Sequence, residues 1–180
     1  MTSILKVDTL QDASGTGTPY IKDAVLQVKS TASSQITHIS TQDVKTDILG
    51  LSVSITPKST SSKILVQVHV NHGGTNVNTY GSGFIVRDST EIAIGSTATG
   101  NQQNVSFALS ASGFTNETYK LRNASMTFLD DPQTTSSITY KVQARMDANP
   151  DLYINRSGTD ASADYGQRGV STITVMEIGG

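Results

Sequence analysis

The chain has 180 residues, of which 36% are hydrophobic and 16% charged, and its formal net charge at pH 7 is -2. That length suits one domain, or one domain with a short appendage. No basic face able to neutralise phosphates is evident, so neither nucleic acid nor a polybasic membrane contact is an expected partner. Cysteine and tryptophan are absent, which excludes disulfides, thiolate zinc sites and a cysteine nucleophile.

Ser, Thr, Asn, Gln and Gly make up the shortfall in apolar and charged residues. Disordered chains favour high net charge, so this balance does not point to disorder. It suits a β protein whose outward positions carry small hydroxyls.

The chain opens with "ILKVDTLQDASGTGTPYI". Ile4, Leu5, Val7 and Leu10 are too apolar for an ordinary solvated tail, and "ASGTGTP" reads as a hinge. Residues 1–23 are therefore read as an attachment segment, with those four side chains buried on docking. Residues 24–180 form the domain. Met1–Lys6 carries no charged leader ahead of an apolar core, and no run approaches the length of a membrane span. Synthesis in a cytoplasm without membrane insertion is expected.

From Ala24 onward a period of two dominates. The first strands are "AVLQVKS" and "SQITHIST". "LGLSVSITP" follows, with Leu49, Leu51, Val53 and Ile55 facing in and Pro57 closing the strand. In "SKILVQVHVN", Ile64, Val66, Val68 and Val70 form a β-branched row suited to a half-buried pleated surface. "GSGFIVRD", "EIAIGS", "NVSFALSAS" and "ASMTFLD" continue the series. "SITYKVQARM" carries the row Ile138, Tyr140, Val142, Ala144 and Met146. "LYINRSG" and "VSTITVMEI" complete it.

The intervening segments "NHGGTN", "GSTATGNQ", "DDPQTTSS", "DANPD" and "GTDASADYGQRG" read as turns. One short helical turn is expected near "NETYKLRN". The fold class is thus all-β, an antiparallel sandwich. A jelly roll suits the strand count and the variable loops. An immunoglobulin-like sandwich also suits the count, although its Cys and Trp landmarks are missing.

Few residues suggest chemistry. His69 and His72 look like a metal-ligand pair, but residues three apart on a strand point to opposite faces. "DLYINRSGTD" places Tyr153, Asn155 and Arg156 near a glycine turn, and Tyr80 and Tyr165 lie in glycine-containing loops. Aromatic and planar polar groups near loops serve sugar recognition by stacking and forked hydrogen bonds. The competing reading puts Tyr153 or Ile154 in the core and pairs Arg156 with a nearby Asp. Asp130 and Asp131 lack the alternating ligands of a calcium loop and fit a turn before Pro132. No nucleophile elbow or Ser-His-Asp arrangement is present. No catalytic residue, metal site or cofactor is expected.

"ILKVDTLQDASGTGTPYI", "LGLSVSITPKSTSSKILVQV", "FIVRDSTEIAIG", "TYKVQARMD", "YINRSG" and "STITVMEIGG" carry a resemblance over nearly the whole chain. It resembles a family of small tail-fibre-like or structural virion proteins of marine and freshwater bacteriophages, cyanophages among them. The resemblance implies a virion protein with a β-sandwich head, expected as a homotrimer and mounted through its N-terminal segment on a tail or capsid partner. The long repetitive shaft of many fibres is lacking, which favours a short tail fibre or appendage whose distal loops meet a host-surface glycan. A capsid decoration or head-fibre protein without a receptor role is the alternative. An enzyme such as a polysaccharide depolymerase is the third possibility, and binding without catalysis is expected instead.

Val68→Asp places an unpaired charge on the predicted inward row and is expected to remove on the order of 4–5 kcal/mol of stability. Thermal melting checks this, and an unchanged midpoint would place Val68 on the wrong face.

Overall fold

A computed structural model describes residues 23–75, 78–96, 98–112, 117–148 and 151–180. The four residues expected to dock, Ile4, Leu5, Val7 and Leu10, lie outside the described residues. The strands are β1 (Val25–Ser33), β2 (Thr37–Ile39), β3 (Thr46–Ile55), β4 (Lys63–Gly74), β5 (Asn78–Arg87), β6 (Thr90–Ile92), β7 (Phe107–Ser112), β8 (Arg122–Asp130), β9 (Ile138–Ala148), β10 (Leu152–Ile154) and β11 (Ser171–Ile178). A 3-10 turn at Glu117–Tyr119 occupies the expected helical position.

The strands form two antiparallel sheets. In the first, β11 lies between β1 and β4, and β8 pairs along the opposite edge of β4. Short β10 continues the β11 track beside His72–Gly74 and carries β2 on its far side. In the second, the order is β3-β9-β5, with β7 and β6 sharing the outer edge of β5. Setting the three-residue strands aside, the order is first-eighth-third-sixth over second-seventh-fourth-fifth. This is the jelly-roll order, two interlocked Greek keys.

Alternation explains the core. Ile64, Val66, Val68 and Val70 of β4 are buried, and so are Ile138, Tyr140, Val142, Ala144 and Met146 of β9. Both expected rows therefore face inward and meet across the layers. Burying each Val or Ile contributes about 1.5–3 kcal/mol relative to exposure. On β5, Gly81 and Gly83 face the same interior. A Cβ at Gly83 would lie 2.2 Å from the Phe107 ring, and one at Gly81 would lie 2.8 Å from a Leu152 methyl. The missing side chains are the space those two groups fill.

Two local expectations are corrected. Leu49 was expected to face inward and is exposed, while Ile48 is buried in its place. Gly50 sits at φ +69°, and the β3–β9 register shifts between Asp47 and Ser52. The alternation changes phase there, so Leu51, Val53 and Ile55 keep their inward places and Leu49 does not. "NHGGTN" was expected to be a turn, yet Asn71–Gly74 belong to β4. The backbone of Arg156–Gly158 packs against Gly73, and Thr79 packs against Gly74. Glycine is needed there for close approach and not for a bend.

Connections gather at two poles. Among the described residues, 56–62, 88–96, 98–106 and 131–137 lie at one pole and 34–45, 75, 117–121 and 155–170 at the other, as the strand directions require. Asp23 N–H donates to the Gly179 carbonyl at 2.7 Å, and Gly179 N–H donates to Ala24 at 2.9 Å. The chain therefore enters and leaves the domain at the first pole.

That pole is closed by buried polar groups. Arg87 Nη1 donates to both oxygens of Asp130 at 2.9 and 2.8 Å, and the Tyr140 hydroxyl donates to Oδ2 at 2.7 Å. The cluster ties β8 of one sheet to β5 and β9 of the other. Burial pushes the Tyr140 hydroxyl far above its ordinary range, with the Asp130 contact adding to it, so it remains a donor. Nearby, buried Glu177 accepts from Gln27 Nε2 and from the Lys58 amide, both at 2.6 Å.

His69 and His72 occupy opposite faces of β4. His69 pairs with outward Thr172 and Ser125, whereas His72 is buried beside Arg122. Burial and then the Arg122 charge lower the His72 pKa from 6.5 to about 4. Protonation is thus disfavoured in the folded state. The stability this contributes is complete above pH 6.5 and is lost as pH falls from 6.5 towards 4, by about 1.4 kcal/mol per unit at the steepest. His72→Leu is expected to flatten the melting midpoint against pH across that window. An unaltered slope would show that His72 does not control it.

Candidate functional site

The second pole gathers the residues singled out from the sequence. β10 hangs on the last residues of β4, so Leu152 and Ile154 point into the core and Tyr153 points outward between Gly73 and His38. The Tyr153 and His38 rings stack at 4.4 Å and 15°. The Arg156 guanidinium lies 3.5 Å from the Tyr153 ring centroid. Two groups at those distances occupy both faces of the ring. Tyr153 therefore has no free face on which a sugar ring could stack.

This stack is tied down at its ends. His38 Nε2 lies 2.6 Å from Asp151 Oδ1. Arg156 is buried and its Nη1 reaches Asp160 Oδ2 at 2.9 Å. Arg168 bonds the other oxygen of Asp160, and that hydrogen bond, with smaller help from Arg156, holds the Asp160 carboxyl below its usual range. The pairing of Arg156 with a nearby Asp and the core position of Ile154 are both observed.

Asn155 serves the interior. It is fully buried at φ +66°, a left-handed conformation that Asn tolerates better than most residues. Its Nδ2 donates to the carbonyls of Ser33 and Gln35, both at 2.9 Å, and its Oδ1 accepts from Ser171 Oγ at 2.6 Å. Its backbone N–H donates to Asn71 at 2.8 Å and its carbonyl accepts from Gly169 at 2.9 Å. One side chain and its peptide groups thus join the ends of β1, β4, β10 and β11.

Exposed aromatics remain at Tyr80 and Tyr165. Tyr165 meets Tyr119 edge-on, with centroids 4.8 Å apart and planes at 61°. Thr159 N–H to the Thr118 carbonyl at 2.7 Å and Leu121 N–H to Gln167 Oε1 at 3.0 Å fasten the two segments together. Sequence reasoning missed Tyr119, because its partner lies in another loop and only the jelly-roll connections bring them together. Among the described residues, no ring contact joins Tyr80 to either group. The structure thus gathers Tyr153, Asn155 and Arg156 around one loop base, and pairs Tyr165 with Tyr119.

Among the described residues, no group of three metal-ligating side chains converges. A recess of about 470 Å³ lies at the first pole, lined by Gly95, Ser96, Ala98, Gln102, Gln103, Asn104 and Val105. None of these side chains titrates, so the recess offers no acid, base or ionised nucleophile.

No family model matches the sequence, and no curated protein is similar to it. Among solved structures, a mutant VP2 protein of infectious bursal disease virus in derived T=1 particles is similar at 10% identity and a TM-score of 0.44. The likeness covers 96% of this chain and 40% of that one. The VP2 subviral particle of the same virus gives 10% identity, a TM-score of 0.41, and 97% and 42% coverage. The chain spans about two fifths of the length of these proteins. The fold assignment rests on the strand order of the chain itself.

Asn155→Ala leaves two backbone carbonyls and one hydroxyl without their partner and is expected to cost about 3 kcal/mol. That corresponds to a fall of roughly 10 °C in melting temperature for a domain of this size. A fall of no more than a degree or two would show that the pole does not depend on this side chain.

Proposed function

We propose that the chain is a structural subunit of a bacteriophage virion, a short tail fibre or appendage that binds and does not catalyse. Residues 1–23 dock it on a tail or capsid partner. The loops of the second pole face outward, towards a host-surface glycan, and copies of the chain associate about a symmetry axis, with a homotrimer as the expected state. The sequence resemblance over nearly the whole chain supports the virion role.

The observation that carries this reading is the separation of the poles. The attachment segment joins the domain at Asp23, beside Gly179, at one end of the jelly roll. The exposed Tyr119–Tyr165 pair sits at the opposite end. A subunit mounted by its N-terminus thus presents those loops away from the mount. Tyr rings with a free face or edge offer stacking area at low entropic cost, which sugar recognition uses. The paired loop ends, fastened by a backbone bond and by the Gln167 side chain, reduce the ordering cost of binding.

Removing residues 1–12 is expected to leave the melting temperature within a few degrees of the full chain while abolishing incorporation into particles. Co-sedimentation with assembled particles is the readout. Normal incorporation of the truncated chain would overturn the docking assignment.

A further inference from the structure

The two outer faces of the sandwich differ in chemistry. On the β3-β9-β5 sheet the outer face is charged and self-neutralising. Lys141 pairs with Asp47, Arg145 with Asp147 and Lys45 with Glu91. On the β1-β11-β4-β8 sheet the register places Val28 opposite Met176, Met176 opposite Leu65, and Leu65 opposite Leu129. These four side chains form an apolar row across the whole sheet, at right angles to the strands. All point away from the core, because their sequence neighbours Val175, Ile64 and Val66 are buried. Val25 and Ile178, paired in the next register, widen the row. Val25, Val28 and Leu129 are each more than half exposed, at 54%, 52% and 53%.

We infer that this row is the surface through which copies of the chain pack on one another. Its surroundings select a second copy over a charged partner. The adjoining row is Ser30, Thr174, Gln67 and Thr127, and the next holds Ala32, Thr172, His69 and Ser125. Hydroxyls and amides both donate and accept, so such rows can pair with their own kind. The charges beyond the apolar row, Lys63 and Asp131, pair with each other at 2.5 Å. The face therefore carries almost no net charge, and a like face meets it without repulsion. A strongly basic or acidic partner would gain nothing there. Four strands about 4.8 Å apart give a row on the order of 15–20 Å wide, and the two hydroxyl-rich rows beside it extend the face along the strands. Among the described residues no matching exposed apolar row crosses the opposite sheet, where outward Phe84 lies buried under Lys45 and Arg145, so the asymmetry between faces defines which side packs.

This deepens the assembly part of the function proposed above and is independent of the virion and glycan parts. The test is the solution mass of the full chain by sedimentation at micromolar to submillimolar concentration. A multiple of 19.0 kDa is expected. Leu129→Asp and Leu65→Asp should each return the chain to a single subunit, with circular dichroism unchanged. Thr127→Lys, at an exposed polar position of the same face, does the same where a Leu variant disturbs folding. Leu49→Asp, at an equally exposed apolar position elsewhere, should leave the oligomer intact. A full chain that remains a single subunit overturns the inference. So does an oligomer indifferent to all three face variants. A monomer that associates only after residues 1–12 are removed also overturns it, since the chain's own segment would then be what covers the row.

Discussion

Each sheet in this domain has one face that water must not reach, and strand pleating leaves a single way to arrange that. Alternate residues of β4 and β9 are apolar, most of them β-branched, and they are buried only when the two sheets lie face to face. A slip of one residue in either strand would expose its whole row. The register shifts at Val25–Gln27 of β1, at Asp47–Ser52 of β3, and between Tyr80 and Gly81 where β5 meets β9, beyond Met146 at the end of the buried β9 row. The β4 ladders with β8 and β11 run without a shift, and the β9 shift falls past the last member of its row, so both rows keep their phase. Gly81 and Gly83 belong to the same constraint. Their bare backbone admits Leu152 and the Phe107 ring into a layer with no room for further side chains.

A sandwich core is open at its two ends, and here different polar groups close each one. At the first pole, beside Asp23 and Gly179, Asp130 meets Arg87 and Tyr140 across the layers, and Glu177 receives Gln27 and the Lys58 amide. A buried carboxylate is costly unless its lone pairs are met, and both are met by donors from other strands or from the 56–62 connection. At the opposite pole Asn155 does comparable work with a neutral amide. The consequence for function is mechanical. Loops of the second pole spring from a fixed base, so binding there need not first order the backbone beneath them.

What the sequence made legible follows from the range of each interaction. The rows of β4 and β9 are local patterns, and every member proved buried. The short turn around Glu117–Tyr119 was visible for the same reason. Leu49 was misplaced because the phase change depends on Gly50 taking a positive φ, which a glycine permits but does not announce. Asn155 was noticed for its chemistry, yet its place was hidden: its bonds to Ser33 and Gln35 span 122 and 120 residues. Tyr153 looked like a stacking platform until its two faces were found to be taken by His38 and Arg156. Nothing in the local pattern encodes such partners.

The apolar row of the β1-β11-β4-β8 sheet shows the same limit from the other side. Val28, Leu65, Leu129 and Met176 lie in four separate strands, and each alone is an unremarkable surface residue. Only pairing register turns them into a line. Opposite them, the outer face of β9 and its neighbours spends its length on ion pairs, the arrangement that keeps a sheet surface in water and discourages casual association. A domain with one such face and one apolar row has two different surroundings built into it. The alternation that defines the interior therefore also sorts the exterior, because every outward position in a sandwich is chosen against either solvent or a neighbour.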